Sequence, residues 1–363
     1  PEAYLEADDV ANRIEKASLA MDGYLSAGFL NEYVGKYIYV ERTQRSGVVR
    51  HGLMGVIDLM EYDYRVGSQT AVRATEGTVI SRIPPRVRVR ESASLELPHI
   101  MLLIDDEACT VIEPLASNKD ECCYDFDLMQ NSGHLRGYVV SDAEAKRIDN
   151  ALLKLSDPTA FAKKYDVPES CGVLTFAVGD GNHSLATATV CYMRLKTTMS
   201  DDAWQCHPAR YALVELTNLH DAALEFEPIH RVVFDVDPSH MLAELARTYT
   251  LSSSGGQHFR YITKDGSGEI HVENAPSNLA VGTLQRFIDT YIKEFGGRVD
   301  YIHGDDVTAR LASEPGNIGF LLPNMEKREL FKTVILDGAL PRKTFSMGHA
   351  FDKRFYLECR KIK

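Results

Sequence analysis

FAVGDGNHSLATATVCYMRLK, residues 176–196, places two glycines, an aspartate and a histidine between an apolar run and a run with helical spacing. Leu185, Ala188 and Tyr192 recur at the spacing of one helix face, which predicts a helix that begins close to Ser184. The apolar residues before the turn predict a buried strand. The stretch therefore predicts a strand, a turn and a helix in direct succession.

Three interpretations of this turn compete. Asp-Gly and Gly-Asn pairs are ordinary turn chemistry, because glycine adopts a positive φ without a steric penalty. A dinucleotide-binding loop requires G-x-G-x-x-G, and Ser184 stands where the last glycine would be. A phosphate-handling loop is the third interpretation, since N–H groups and the dipole at a helix start attract anions. A Walker loop is excluded because no G-K-[ST] follows.

The composition narrows the class of protein. The chain has 363 residues, which predicts two domains, and a formal net charge of −12, which disfavours binding to nucleic acid or to an anionic membrane. No apolar stretch approaches the roughly 18 residues of a membrane span. The seven cysteines form no C-x-x-C pair, and nothing at the start reads as a secretory signal. We expect reduced thiols and a cytoplasmic protein, and the sequence leaves its oligomeric state undecided.

The remaining sequence alternates helix and strand patterns irregularly. Residues 36–44 and 50–62 predict two strands joined by a Ser-Gly turn, hence a hairpin. Residues 84–92 alternate like a strand but begin with two prolines, so helix and strand both remain open. Ser141 and Glu144 form the capping-box pattern of a helix start. The fold class that we expect is mixed α and β.

The turn carries a carboxylate and an imidazole three residues apart, so both can face one bound group. A single carboxylate together with substrate phosphates is the usual way in which proteins hold Mg²⁺, which makes Asp180 a candidate metal ligand. His183 is a candidate donor to a phosphoryl oxygen. The other candidate contacts to the phosphates are Gly179, Gly181, Asn182 and Ser184.

Two further pairs of basic residues are suited to bind an anion. His230 and Arg231 follow Pro228 at the start of a predicted strand, although a structural role at the edge of a core is equally compatible with them. Arg342 and Lys343 lie in a turn that begins with proline. A lysine there is a point charge that can follow a moving phosphoryl group.

Four elements, in order along the chain, resemble one protein family. They are VGDGNHSLATA (178–188), EPIHRVVF (227–234), YIHGDD (301–306) and LPRKTFSMG (340–348). On these motifs the chain is identified as a member of an uncharacterised bacterial and archaeal family, number one thousand and fifteen in the domain-of-unknown-function series. The D-G-x-H turn is similar to that of the ParB and sulfiredoxin superfamily, which includes a free-serine kinase and handles nucleotide phosphates at this turn.

The resemblance implies a mixed α and β fold of two parts. Residues 1–225 would form a ParB/sulfiredoxin-like core that handles nucleotide, and residues 226–363 a second α/β domain that contributes basic residues. It also places Glu76 where kinase-like members have an upstream acid, as the candidate general base. Ser184 replaces the arginine of better-known members. Either Ser184 and the backbone N–H groups suffice for the phosphates, or Arg231 or Lys343 supplies the charge.

These expectations combine into a nucleotide-dependent phosphotransferase that acts on a hydroxylated metabolite such as an amino acid. Its catalytic residues would be Glu76, Asp180 and His183, with Mg²⁺ on Asp180 and with ATP or ADP as the phosphoryl donor. The partners are then a small-molecule substrate and a nucleotide. Two alternatives remain open, namely a phosphoester or nucleotide hydrolase and a non-catalytic nucleotide-sensing protein.

Overall fold

The computed structural model describes residue 5 and residues 7–98, 100–347 and 355–363, and it divides into two compact units. The first comprises Pro1–Leu224 with Ala350–Lys363, and the second comprises Glu225–His349. Both units combine helices with β-sheet, which confirms the predicted mixed α and β class. The boundary lies one residue before the predicted one, and the chain end belongs to the first unit instead of the second.

The first unit contains one large mixed sheet with helices. Its helices are α1 (Val10–Ser26), α2 (Ile83–Ser92), α3 (Asp142–Leu155), α4 (Pro158–Tyr165), α5 (Asn182–Lys196) and α6 (Asp201–Cys206). Its strands are β1 (Ile38–Thr43), β2 (Val49–Asp58), β3 (Tyr62–Asp63), β4 (Val72–Ala74), β5 (Leu95–Glu96), β6 (Met101–Ile104), β7 (Cys122–Asp127), β8 (His134–Val139), β9 (Phe176–Asp180) and β10 (Tyr211–Asn218). The sheet has the order β3-β4-β9-β6-β10-β2-β1-β8-β7.

Local sequence patterns in this unit predict a hairpin and a helix start and leave one stretch ambiguous. Strands β1 and β2 pair antiparallel from Ile38↔Met54 to Thr43↔Val49, so the predicted hairpin is confirmed. The ambiguous stretch 84–92 is part of helix α2, whose first turn holds both prolines. A proline is tolerated there because the first N–H groups of a helix have no intrahelical acceptor. Ser141 accepts a hydrogen bond from the Glu144 N–H at the start of α3, as the capping pattern indicates.

The two faces of the large sheet have different coverings. One face packs against α2, α3 and α5 in an extensive core. Central members of this core are Tyr39, Leu53, Leu102, Val178, Leu185 and Tyr192. Because alternate residues of a strand point to opposite faces, the residues next to them in sequence lie on the other side. That second face has a smaller apolar cluster, made of Val40, Met54, Leu128, Leu135 and Leu213.

The second unit is built on its own sheet. Its helices are α7 (Pro238–Thr248), α8 (Ala280–Phe295), α9 (Asp305–Ala312) and α10 (Lys327–Asp337). Its strands are β11 (Phe226–Phe234), β12 (Leu251–Ser252), β13 (Gln257–Thr263), β14 (Gly266–Val272), β15 (Arg298–His303), β16 (Ile318–Leu321) and β17 (Phe345–Met347). The order is β12-β14-β13-β16-β11-β15, and β17 pairs with β11. Strand β18 (Arg360–Lys361) pairs with β5 in the first unit.

None of the helices in the described part of the chain combines the length and the apolar character that crossing a membrane requires.

Candidate functional site

The turn after β9 has the predicted strand-turn-helix geometry. Strand β9 ends at Asp180, and α5 begins at Asn182. Between them Gly181 is the N-cap with φ +88° and ψ +15°, a left-handed conformation that glycine adopts without strain. Its N–H donates to Asp180 Oδ1 over 2.8 Å. Since glycine has no side chain, the first N–H groups of α5 receive no bond from the N-cap residue, unlike those of a helix capped by serine or aspartate.

A β-bulge at Gly179 sets the direction of Asp180. Strands β9 and β6 are paired at Leu102↔Val178 and then at Met101↔Asp180, so Gly179 is one residue too many for the ladder. Met101 in turn pairs with Glu215 on β10. Directly paired residues project from the same face of a sheet, so Asp180 shares a face with Glu215. Bulges of this kind often re-aim a side chain next to a functional site.

The segment that carries Glu76 lies beside this turn. It follows β4, which runs parallel to β9 with Ala74 opposite Val178. The Thr75 hydroxyl donates to the Val178 carbonyl over 2.7 Å, and the Val79 N–H donates to a ring nitrogen of His183 over 3.1 Å. Glu76 is half-buried between these two contacts. The structure thus brings Glu76 and the turn to the carboxyl ends of two neighbouring parallel strands, a common location for ligands in α/β sheets.

The bond from Val79 also determines how His183 can act. The acceptor is Nε2, so this nitrogen carries no proton while the bond exists. In the neutral ring the proton is then on Nδ1, which is the nitrogen able to donate to a ligand oxygen. The sequence indicated a histidine donor but gave no sign that a backbone N–H from the segment after Glu76 would select its tautomer.

The turn offers oxygen ligands for a cation. The carboxylate of Asp180 and the amide oxygen of Asn182 are two residues apart on it. Asn182 Oδ1 is buried and has no hydrogen-bond partner among the described residues. A buried carbonyl oxygen without a donor is costly, and a hard cation or a ligand N–H would satisfy it. Mg²⁺ prefers oxygen ligands, so these two residues fit the predicted ion.

The basic residues of the second unit have defined partners there. His230 is 2% exposed, Nε2 donates to Asp305 Oδ1 over 2.8 Å, and Nδ1 accepts from the Leu322 N–H over 3.1 Å. Burial lowers the pKa of His230 and outweighs the opposing effect of the hydrogen bond to Asp305. The ring is therefore neutral near pH 7 and holds α9 and the end of β16 in place.

Arg231 is fully buried, and its guanidinium holds the turn that contains Arg342 and Lys343. It donates to the carbonyl of Arg342 over 2.7 Å and to that of Lys343 over 3.0 Å. Arg342 pairs with Asp289, whereas the side chain of Lys343 is exposed. Lys343 has φ +55°, an uncommon conformation that these bonds stabilise. Arg231 has this structural role, and its predicted contact with phosphate stays a prediction.

A second polar cluster lies at the opposite end of β6. The buried carboxylate of Asp105 accepts from Tyr165 Oη, His220 Nε2 and Lys164 Nζ, at 2.5, 2.6 and 2.9 Å. Burial alone would raise the pKa of Asp105, but these three bonds together hold it below its usual value. Asp105, Glu107 and His220 have the spacing of a metal site. The Lys164 ammonium already neutralises Asp105, so the cluster is explained as a structural ion pair.

One cavity of about 650 Å³ is lined along α3 by Cys109, Thr110, Lys146, Arg147, Asn150 and Lys154, among others. No residue of the β9–α5 turn lines it, and it does not mark the predicted phosphate site.

The fold and the site define a mixed α/β protein with an anion-suited turn at the ends of two parallel strands. The chain belongs to the family described as "Protein of unknown function (DUF1015)", whose model matches residues 1–291. This confirms the family that the motifs indicated. No curated protein matches the sequence significantly.

Several solved structures are similar to the chain at low identity. A free serine kinase in complex with AMP is 8% identical, with 85% of this chain and 91% of that chain covered and a TM-score of 0.42. SbnI from Staphylococcus aureus is 8% identical, with 82% and 83% covered and a TM-score of 0.41. A conserved hypothetical protein from Pyrococcus furiosus is 10% identical, with 85% and 95% covered and a TM-score of 0.40. These likenesses are too distant to assign an activity.

Proposed function

We propose that the chain is a nucleotide-dependent phosphotransferase that acts on a small hydroxylated metabolite, such as an amino acid. One observation supports this proposal most strongly. The segment with Glu76 is bound to the D-G-x-H turn on both sides, through Thr75 to Val178 and through Val79 to His183. A candidate base and a phosphate-suited helix start therefore lie next to each other, as phosphoryl transfer requires.

The residues of the turn bind different parts of the nucleotide and its metal ion. The N–H groups at the start of α5 and the Ser184 hydroxyl hold the phosphates of ATP or ADP, with the helix dipole contributing positive potential. His183 donates from Nδ1 to an oxygen of the transferred group. Asp180 and Asn182 hold Mg²⁺, which when bound neutralises charge on the phosphates.

Glu76 acts on the acceptor. Its carboxylate accepts the proton of the substrate hydroxyl as the oxygen forms its bond to phosphorus and the bond to the nucleotide leaving group breaks. A base held within hydrogen-bond reach contributes about 10² to 10⁴ in rate. In the second unit, Lys343 is exposed on the turn that Arg231 fixes, and His230 has a positioning role.

The proposal is tested by ³¹P NMR with ATP, ADP and CTP in turn, each with Mg²⁺ and a mixture of hydroxylated amino acids and sugars. We expect one nucleotide to be consumed only when an acceptor is present, with a new phosphoester signal. Consumption without an acceptor would instead indicate a hydrolase. Thermal stabilisation by a nucleotide without turnover would indicate a sensor, and no response to any nucleotide would contradict all three functions.

A further inference from the structure

The second face of the first-unit sheet carries buried charges that the proposed chemistry does not use. Arg42 on β1 lies directly opposite Arg50 on β2, so both side chains project from the same face. They are 2% and 3% exposed. Arg50 Nη2 donates to both carboxylate oxygens of Glu215 at 3.0 Å. Gly52 makes room for this carboxylate, since a Cβ there would come within 2.5 Å of Glu215 Oε1.

Arg42 lacks a comparable acceptor. Its Nε and Nη1 are both buried and have no hydrogen-bond partner among the described residues. The ring of Tyr356 lies 5.6 Å from its guanidinium carbon. The Glu215 carboxylate pairs with Arg50, and no described residue accepts a hydrogen bond from Nε or Nη1 of Arg42. A buried charge without a partner is strongly destabilising, because neither water nor a counter-charge replaces its solvation.

An orphaned hydroxyl on the same face provides an independent indication. Thr217 is 0% exposed, and its Oγ1 also has no hydrogen-bond partner among the described residues. It lies two residues after Glu215 on β10, so both side chains project from one face. The interior therefore contains unsatisfied donors on two different strands, β1 and β10. These donors are open to an acceptor that the described residues do not supply.

We propose that this interior binds the anionic group of a small soluble ligand, a carboxylate or a phosphate, with Arg42 as its principal partner and the Thr217 hydroxyl as a second donor. Guanidinium is suited to both groups through charge-assisted hydrogen bonds. The Arg50–Glu215 pair is a fixed neighbour that keeps a second cation close without competing for the ligand. The proposal goes beyond phosphoryl transfer and does not depend on it.

The proposed anion site lies on the same face of the sheet as Asp180 of the β9–α5 turn. Asp180, Met101 and Glu215 are directly paired on three adjacent strands and share this face. With a strand spacing of about 4.8 Å, the Cα atoms of Asp180 and Glu215 are roughly 10 Å apart. Burial raises the pKa of Tyr356, and the carboxylates of Glu215 and Asp180 raise it further. A ligand anchored by Arg42 thus lies on the same side of the sheet as Asp180.

The test uses the full chain titrated with sodium phosphate in one arm and sodium acetate in the other, at ionic strength kept constant with chloride. The readouts are the thermal midpoint and the ¹⁵N–¹H signal of the arginine Nε–H groups. We expect one Nε–H signal to move saturably and the midpoint to rise by several degrees at saturation. The arm with the tighter response distinguishes a phosphate ligand from a carboxylate ligand.

Arg42→Met should abolish the saturable Nε–H shift in both arms and should be at least as stable as the wild type without anion, because a buried guanidinium with unpaired Nε and Nη1 is gone. Arg45→Met, which removes an exposed arginine three residues away, is the charge-matched control and should respond like the wild type. If Arg42→Met does not fold, Thr217→Val should weaken anion binding about fivefold, as for one lost hydrogen bond.

Asp180→Asn should keep the anion response, which separates this site from the proposed phosphotransferase turn. A saturable Nε–H shift that persists in Arg42→Met, or a flat titration with both anions in the wild type, would overturn the proposal.

Discussion

Glu215→Gln tests the buried charges of the first unit at nearly constant side-chain shape. Glu215 and Arg50 are joined by three hydrogen bonds of 3.0 to 3.3 Å, and both side chains are about 95% buried. Glutamine removes the carboxylate that accepts these three bonds and leaves the Arg50 guanidinium without the counter-charge that it pairs with. Removing one partner of a buried pair costs about 3–5 kcal/mol. That is a large part of an unfolding free energy of about 5–15 kcal/mol.

The loss is measured by urea unfolding followed by circular dichroism. With a slope of about 3 kcal/mol per M, the midpoint should fall by roughly 1–2 M. Glu61→Gln, at an exposed position of the same unit, is the matched control and should change the midpoint very little. The double change Glu215→Gln with Arg50→Met should recover much of the loss, because it removes the charge that was left unpaired. A loss below about 1 kcal/mol for Glu215→Gln would show that this carboxylate is not an essential buried counter-charge of Arg50.

Three further predictions concern Glu76, His183 of the turn, and His230 of the second unit. Glu76→Gln should lower the transfer rate about 10² to 10⁴-fold in single-turnover assays and leave nucleotide affinity nearly unchanged; equal losses in both would remove its role as base. His183→Ala should weaken nucleotide binding and expose the Val79 N–H to hydrogen exchange, whereas His183→Gln, which retains an acceptor, should protect that N–H but still lose transfer. Burial lowers the pKa of His230 below the 6.5 of the unfolded chain, so below pH 6.5 the unfolded state binds more protons than the folded state. The contribution of His230 to stability is therefore complete above pH 6.5. It is lost as the pH falls below 6.5, by up to about 1.4 kcal/mol per pH unit. His230→Asn should flatten this dependence in urea unfolding between pH 5 and 8, and His258→Asn, at an exposed position, should not.

The parts of the fold that the sequence predicted are governed by local rules. Helical spacing after residue 184 and the glycines before it are enough to predict the end of β9 and the start of α5, since glycine chemistry and helix periodicity act within a few residues. The hairpin of β1 and β2 follows in the same way from its Ser-Gly turn. The stretch 84–92 was ambiguous because its charged and β-branched residues alternate with period two, and tertiary packing of Ile83 and Val87 decides for the helix.

The buried charges were missed because their contacts depend on strand register. Arg42 and Arg50 occupy alternating polar positions, a pattern typical of the solvent-exposed face of a hairpin. Only the pairing of β2 with β10, between residues more than 150 positions apart, brings Arg50 to Glu215. The bulge at Gly179, which gives Asp180 its direction, likewise depends on β6. In the second unit, no local pattern shows that Arg231 is fully buried below a turn.

The central claim is that the β9–α5 turn holds nucleotide phosphates and Mg²⁺ for transfer to a hydroxyl. It is tested most directly by ³¹P NMR of acceptor-dependent phosphoryl transfer in the wild type and in Asp180→Asn. Asparagine keeps the size of the side chain and an acceptor for the Gly181 N–H but removes the charge that a metal needs. We expect Asp180→Asn to fold like the wild type and to lose the Mg²⁺-dependent transfer, and full transfer activity in this variant would contradict the claim.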